Sequence, residues 1–265
     1  SRGDHFQMTI QNCSTCAGDL IFTNNTMSDN NPNIVPGGGT FVIGGVDGTF
    51  TFNVDGNTIR DATGTAMQFS CGGVGSICRG TANNNTIGVA GVANSGSTGG
   101  GGMVFISAGG GLFYGKITNN TIYQYNNHAI LVQAGDLLGN TLDYQMTVTG
   151  NTASNAGNIN ADFNGVHLNN GTVSTDSFTS CVDIKTNNMT NGGQGTTSPN
   201  NNDIRLRQRQ STTVRLPGYG GANNDNTAVQ NFIAGQNTVT AGSVAASNTV
   251  PTGGGFTGGA ACAQP

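Results

Sequence analysis

The chain has 265 residues, a formal net charge of −4 and a pI near 5.0, and only 8% of its residues are charged. Phosphate recognition needs a basic surface, so this balance argues against a nucleic-acid partner. No apolar stretch approaches the roughly 20 residues of a membrane-spanning helix, so no membrane span is expected.

The remaining composition narrows the fold. Gly accounts for 44 residues, Trp is absent, and Asn and Thr are abundant. Disordered chains combine high net charge with few β-branched or aromatic residues. Here hydrophobic residues make up 35% and fall in short strand-like runs, such as residues 49–54 and 128–132. An all-β extracellular protein, solubilised by amides and hydroxyls, is the expectation. Starting at Ser1-Arg2-Gly3-Asp4 without an initiator Met, the chain reads as a mature or excised piece. Arg2-Gly3-Asp4 matches an integrin-binding tripeptide, but at a terminus it carries little weight.

Along the chain one phrase recurs. It reads Phe22-Thr23-Asn24-Asn25-Thr26-Met27, then Val54-Asp55-Gly56-Asn57-Thr58-Ile59, then Ala82-Asn83-Asn84-Asn85-Thr86-Ile87. It returns as Ile117-Thr118-Asn119-Asn120-Thr121-Ile122, as Val148-Thr149-Gly150-Asn151-Thr152-Ala153, and in degenerate form at Lys185-Thr186-Asn187-Asn188-Met189. The marker asparagines are Asn25, Asn57, Asn85, Asn120, Asn151 and Asn188, at intervals of 32, 28, 35, 31 and 37 residues. Recurrence with a drifting period suits a solenoid, in which each coil returns to the same place on the stack while its loops vary. Asn tolerates the left-handed backbone of a sharp corner. Its amide can also bond the same amide one coil away, about 4.8 Å along the axis. Asn24, Asn84, Asn119, Asn170 and Asn188 fit the glycosylation sequon, which so Asn- and Thr-rich a chain also produces by chance.

These repeats resemble the right-handed parallel β-helix of pectin-lyase-like proteins, including the repeat regions of large bacterial secreted and surface proteins. The resemblance spans about residues 5–215 and rests on repeat grammar. It implies an all-β right-handed parallel β-helix (solenoid) with irregular loops, residues 1–215 forming the coils. Residues 216–265 are expected to form a C-terminal cap containing a short helix. Asn226 or Thr227 would cap that helix, which would run through Ala234 and end at Gly235, with Val229, Phe232 and Ile233 on one face. Terminal segments of the same surface proteins look similar to this tail.

Six cysteines fall at Cys13, Cys16, Cys71, Cys78, Cys181 and Cys262. An even count with no His nearby favours disulfides in an oxidising compartment. Proximity suggests Cys13–Cys16 and Cys71–Cys78, leaving Cys181–Cys262, although six cysteines allow 15 pairings. A zinc site would need a second pair at similar spacing, and a c-type haem would need His where Ala17 stands. No cofactor or metal is expected.

Catalysis on polysaccharide would need clustered carboxylates or a basic residue beside a uronate. The chain has no Glu, and its Asp residues are scattered, although adjacent coils could bring Asp143, Asp176 and Asp203 together. His128 and His167 could stack on successive coils; His5 stands apart. Arg205, Arg207 and Arg209 alternate on one strand with Arg215 close behind, a candidate site for an anionic glycan or a solvated strand face. Tyr123, Tyr125 and Tyr219 are candidate glycan-stacking residues. Ice binding would need a flat Thr array, which loops of unequal length are expected to break. The expected function is an extracellular structural or adhesive β-solenoid, a bacterial surface component or a fibre-forming subunit, its expected partners being itself by end-to-end stacking, adjoining repeats of a longer chain, or glycans. The alternatives are a polysaccharide-active enzyme and a carbohydrate-binding module.

Overall fold

The computed structural model describes residues 6–28, 39–73, 75–137, 141–154, 163–193, 201–248 and 254–265. The chain winds through short strands rung by rung. The first rung is β1 (Phe6–Thr9), β2 (Ala17–Thr23) and β3 (Thr26–Ser28). The second is β4 (Phe41–Val46), β5 (Thr49–Asp55) and β6 (Thr58–Arg60), and the third β7 (Met67–Cys71), β8 (Ile77–Asn83) and β9 (Thr86–Ile87). Then come β10 (Met103–Ser107), β11 (Leu112–Thr118) and β12 (Thr121–Tyr123), followed by β13 (His128–Ala134), β14 (Asp143–Thr149) and β15 (Thr152–Ser154). The last strands are β16 (Asn164–Asn170), β17 (Thr179–Lys185), β18 (Asn202–Gln208), β19 (Thr213–Arg215), β20 (Val244–Asn248) and β21 (Gly255–Thr257). A single helix among the described residues, α1 (Asn226–Gln236), lies between β19 and β20.

Successive rungs stack into three parallel sheets. The first sheet runs β1-β4-β7-β10-β13-β16-β18-β20, the second β2-β5-β8-β11-β14-β17-β19-β21, and the third β3-β6-β9-β12-β15. Every strand pairing among the described residues is parallel, as expected for a parallel β-solenoid. Alternation along each strand decides what is buried. In β5 the sequence Thr-Phe-Thr-Phe-Asn-Val-Asp turns Phe50, Phe52 and Val54 inward and the residues between them outward.

In-register stacking turns those inward positions into columns. Phe41, Met67, Met103, Ile130, Val166 and Ile204 follow one another on the first sheet, each no more than 0% exposed. Phe69 and Phe105 stack at 4.4 Å with their planes 11° apart. Where a large side chain fills the axis, the adjacent rung gives way. Phe52, Gly80, Gly115 and Met146 are successive in one column, and a Cβ on Gly80 would run into the Phe52 ring. The third sheet contributes Met27, Ile59, Ile87, Ile122 and Ala153.

Past residue 215 the stack does not stop. Strands β20 and β21 add a further rung to the first and second sheets through their pairing with β18 and β19. Helix α1 is inserted ahead of that rung. Its N-cap is Asp225, whose side chain accepts from the Ala228 N–H at 2.9 Å, rather than Asn226 or Thr227. It runs through Gln236, so Gly235 lies inside it and Asn237 is the C-cap. Val229 and Ile233 are buried as the apolar face requires, and Phe232 rests against Tyr219 at 5.6 Å.

The three disulfides are Cys13–Cys16, Cys71–Cys78 and Cys181–Cys262. The first two close corners between the first and second sheets. The third joins β17 to the tail, 81 residues away. Three disulfides fit an oxidising compartment. No helix among the described residues is long and apolar enough to cross a membrane.

Candidate functional site: an asparagine spine and two outward sheet faces

The repeated asparagines form a continuous ladder at the corner between the second and third sheets. The backbone N–H and Nδ2 of Asn25 both donate to Asn57 Oδ1, at 2.9 and 3.1 Å. Asn57 donates in the same way to Asn85, Asn85 to Asn120, and Asn120 to Asn151, all at 2.9–3.0 Å. Each Nδ2 beyond the first rung also reaches a carbonyl of the preceding one, such as Phe22 O for Asn57 and Val54 O for Asn85. Asn57, Asn85, Asn120 and Asn151 are at most 1% exposed, and each amide has its partners, the condition for burying it without penalty.

At the next step the assignment of Asn188 needs correction. Asn151 donates to Asn187 Oδ1 at 3.0 and 2.9 Å, while Asn188 points outward and is exposed. The reason is register. Each ladder Asn precedes an inward apolar residue by two positions, and Met189 stands two after Asn187. The same rule finds a further member, Gln236-Asn237-Thr238-Val239, which the sequence reading missed. Asn187 donates to Asn237 Oδ1 at 3.0 and 2.9 Å. There the ladder ends against α1, where Asn237 Nδ2 donates to Ile233 O at 2.9 Å and its N–H to Ala234 O.

The outward face of the second sheet is a polar grid. In the column six residues before each ladder Asn stand Asp19, Thr51, Arg79, Tyr114, Gln145 and Cys181, in register. Thr51 donates to Asp19; the Arg79 guanidinium lies 4.8 Å from the Tyr114 ring centre; Tyr114 donates to Asp143 at 2.5 Å. Burial, followed by the bond to Asp143, raises the Tyr114 pKa. A shallow groove of about 420 Å³ crosses the grid over Thr81, Asn83, Lys116, Thr118, Asn119 and Thr149. A smaller hollow of about 190 Å³ lies between β17 and α1, beside the Lys185–Asp183 ion pair at 2.6 Å. It is below the usual 300–1,000 Å³ of ligand pockets. On the third sheet, Thr26, Thr58, Thr86, Thr121 and Thr152 pair in register despite the unequal loops. The parallel column holds Ser28, Arg60, Tyr123 and Ser154, so the threonines form one row and not an array.

The arginines divide between two sheets. Arg205 and Arg207 lie half-buried on the outward face of β18, and Arg209 follows just beyond its end. Arg209 Nη2 donates to Asn169 Oδ1 at 2.9 Å, and Asn169 Nδ2 to Gln133 at 3.0 Å, a polar row across three rungs. Burial, followed by repulsion from Arg207, lowers the Arg209 pKa. Arg215 does not join them. It lies on β19 of the second sheet, reaches Gln145 Oε1 at 3.5 Å and packs near Gly259 of the tail.

Three acids considered as a catalytic group are not brought together. Asp143 sits on the second sheet with Tyr114. Asp176 accepts from the Asp136 and Val173 N–H groups at 2.6 and 2.8 Å. Asp203 accepts from the Gly193 and Thr240 N–H groups at 3.1 and 2.6 Å. These two clasp loops to the stack. Burial raises the Asp176 pKa, and its backbone hydrogen bonds oppose the rise. No group of three or more His, Cys or Asp residues suited to a metal ion occurs among the described residues.

His128 and His167 do meet. His128 Nε2 and His167 Nδ1 are 2.9 Å apart with the rings edge to face, and Asn164 Nδ2 is 3.1 Å from His128 Nδ1. An amide nitrogen only donates, so His128 Nδ1 accepts and its Nε2 proton goes to His167. Burial, with His128, Arg205, Arg207 and Arg209 nearby, lowers the His167 pKa to about 2. Of the tyrosines, Tyr125 is 0% exposed with its hydroxyl on Gly192 O, and Tyr219 is 6% exposed with its hydroxyl on Ala222 O. Neither can stack on a glycan; Tyr123 remains half-buried on the third sheet. His5, Asp162 and the Arg2-Gly3-Asp4 tripeptide lie outside the described residues. No family model, curated protein or solved structure matches the chain.

Proposed function

We propose that the chain is an extracellular structural or adhesive β-solenoid, a surface component that displays polar sheet faces on a rigid axis. The observation that carries this reading is the uninterrupted spine from Asn25 to Asn237, with an apolar core packed along the same rungs. The buried acids support it as well, because Asp176 and Asp203 hold backbone N–H groups and do not converge on a cleft. A glycan-binding role is the second reading. Arg205 and Arg207 share one outward face beside the Asn169–Gln133 row, chemistry that suits a carboxylated or sulfated glycan.

Beads coated with the intact chain, passed over surfaces bearing neutral, carboxylated or sulfated polysaccharides, test both readings. Adhesion through the arginine face predicts retention on the anionic surfaces that falls at least threefold in the R205Q/R207Q double variant. Retention on none of the surfaces would count against an adhesive role.

A further inference from the structure

The two ends of the stack differ. At the C-terminal end most of the apolar residues are closed over: Leu216, Val229, Ile233, Val244 and Phe256 are at most 9% exposed, while Phe232, Val239 and Ala246 are partly buried. The Asn ladder is also finished there, because the α1 carbonyls of Ile233 and Ala234 take the last amide hydrogens. At the other end neither is true. Phe6, Met8, Leu20, Phe22 and Met27 are only partly buried, whereas the residues stacked on them, Phe41, Ile43, Phe52, Val54 and Ile59, are at most 5% exposed. Strands β1, β2 and β3 are the edge strands of all three sheets at this one end. Edge strands carry unpaired backbone donors and acceptors that template another strand.

The ladder adds a direction to this surface. In six successive steps, one Asn donates both its N–H and its Nδ2–H to the Oδ1 of the next. Asn25 gives its hydrogens to Asn57, and no donor among the described residues reaches its own Oδ1. Among the described residues this end therefore presents an acceptor at the corner, edge strands on three sides and partly buried phenyl rings between them.

We propose that this end is a docking surface for one more parallel rung carrying an asparagine at the corner, joined on the N-terminal side of β1. The inference rests on reading the chain as a structural solenoid and names the partner its open end takes. The incoming Asn would place two donors on Asn25 Oδ1, repeating the geometry found six times within the chain. Its inward apolar residues would cover Phe6 and Phe22 as Phe41 and Val54 are covered. A second copy of the chain does not fit. Its C-terminal end leaves β20 and β21 as open edges of two sheets, but α1 carbonyls hold the Asn237 hydrogens that would have to reach Asn25 Oδ1. Its N-terminal end would oppose two Asn25 Oδ1 acceptors and bring the strands together antiparallel.

The test adds a rung to the full chain. Residues 41–66 are copied and joined directly to Phe6 in place of residues 1–5, the rest of the chain being kept whole, so that they lead into β1 as they natively lead into Met67. A second extension, from residues 67–102, covers the case in which one graft does not fold. Hydrogen exchange is then followed at the amides of β1, β2 and β3. At least tenfold slower exchange in the extended chain is expected, and part of the gain, around residues 23–26, should vanish when the added corner Asn is changed to Ala. Unchanged exchange in both extensions, or equal protection with Asn and Ala, overturns the proposal. So does concentration-dependent self-association of the unextended chain that protects the same strands, since that assigns the surface to a second copy. None of these readouts depends on adhesion, so a negative bead assay leaves them intact.

Discussion

Asn85 and Asn120, 35 residues apart, share one oxygen: the Asn85 N–H and Nδ2 both donate to Asn120 Oδ1, at 2.9 and 3.0 Å. Neither residue is exposed. Asn120 Nδ2 in turn donates to Ala82 O and to Asn151 Oδ1. Replacing Asn120 with Ala orphans two buried donors on one side and removes a donor on the other. At about 1–3 kcal/mol per unsatisfied buried group, the loss is expected to reach about 3 kcal/mol. N120D keeps the acceptor but turns a carboxylate toward Ala82 O, so at neutral pH its loss should exceed that of N120A. Denaturant unfolding of the two variants checks the order; N120D equal to wild type would mean that the amide hydrogens are not used.

Packing along the axis makes a second prediction. Gly80 lies beneath the Phe52 ring, whereas a Cβ on Gly72 would have no neighbour within 4 Å. G80A is expected to destabilise by about 1–3 kcal/mol through overpacking, and G72A to fall within about 0.5 kcal/mol of wild type. G235A, inside α1 with open space around it, should stabilise by roughly 0.5–1 kcal/mol. Thermal melts of the three variants side by side give the comparison.

The Cys181–Cys262 bridge closes a loop of 81 residues and holds the tail against the second sheet. Chain-entropy arguments put its contribution at up to about 4.5 kcal/mol. The tail keeps other anchors: Ala263 N–H donates to Gln145 at 2.6 Å and Gln264 to Thr147 at 2.9 Å. The C181A/C262A variant should therefore lose stability but keep its circular dichroism spectrum. Limited proteolysis is expected to cut near the C-terminus first.

His167 sets a pH dependence. Its folded pKa lies near 2, below the ordinary 6.5 of the unfolded chain, so between those values the unfolded state binds the extra proton. Its contribution is fully present above pH 6.5 and is lost as pH falls toward 2. The slope approaches about 1.4 kcal/mol per pH unit. H167Q should flatten the stability profile between pH 6 and pH 4 by about one proton. An unchanged profile would place a charged imidazole in the folded protein.

The sequence made the corners legible because they answer to a local constraint. The left-handed backbone falls on the residue before each ladder position (Asn24, Gly56, Asn84, Asn119 and Gly150) and the side-chain amide on Asn25, Asn57, Asn85, Asn120 and Asn151, so these corner pairs stand out. Asn187 was obscured by its neighbour Asn188, and only the inward Met189 separates them. Asn237 was hidden because α1 interrupts the rung before it. In the sequence Arg205, Arg207 and Arg209 alternate, with Arg215 close behind. Only Arg205, Arg207 and Arg209 hold together, because the chain turns into another sheet before Arg215. Burial of Tyr125 and Tyr219 depends on how loops fold back over the stack, which no strand pattern records.

The proposal that this stack serves as a surface is tested most directly by the chain length of polysaccharides after prolonged contact with it. Neutral and uronate-containing polymers are incubated with the intact protein and sized by chromatography, with reducing ends counted. Unchanged size distributions and no new ends are expected. Depolymerisation that disappears in D143N, D176N or D203N would contradict the proposal.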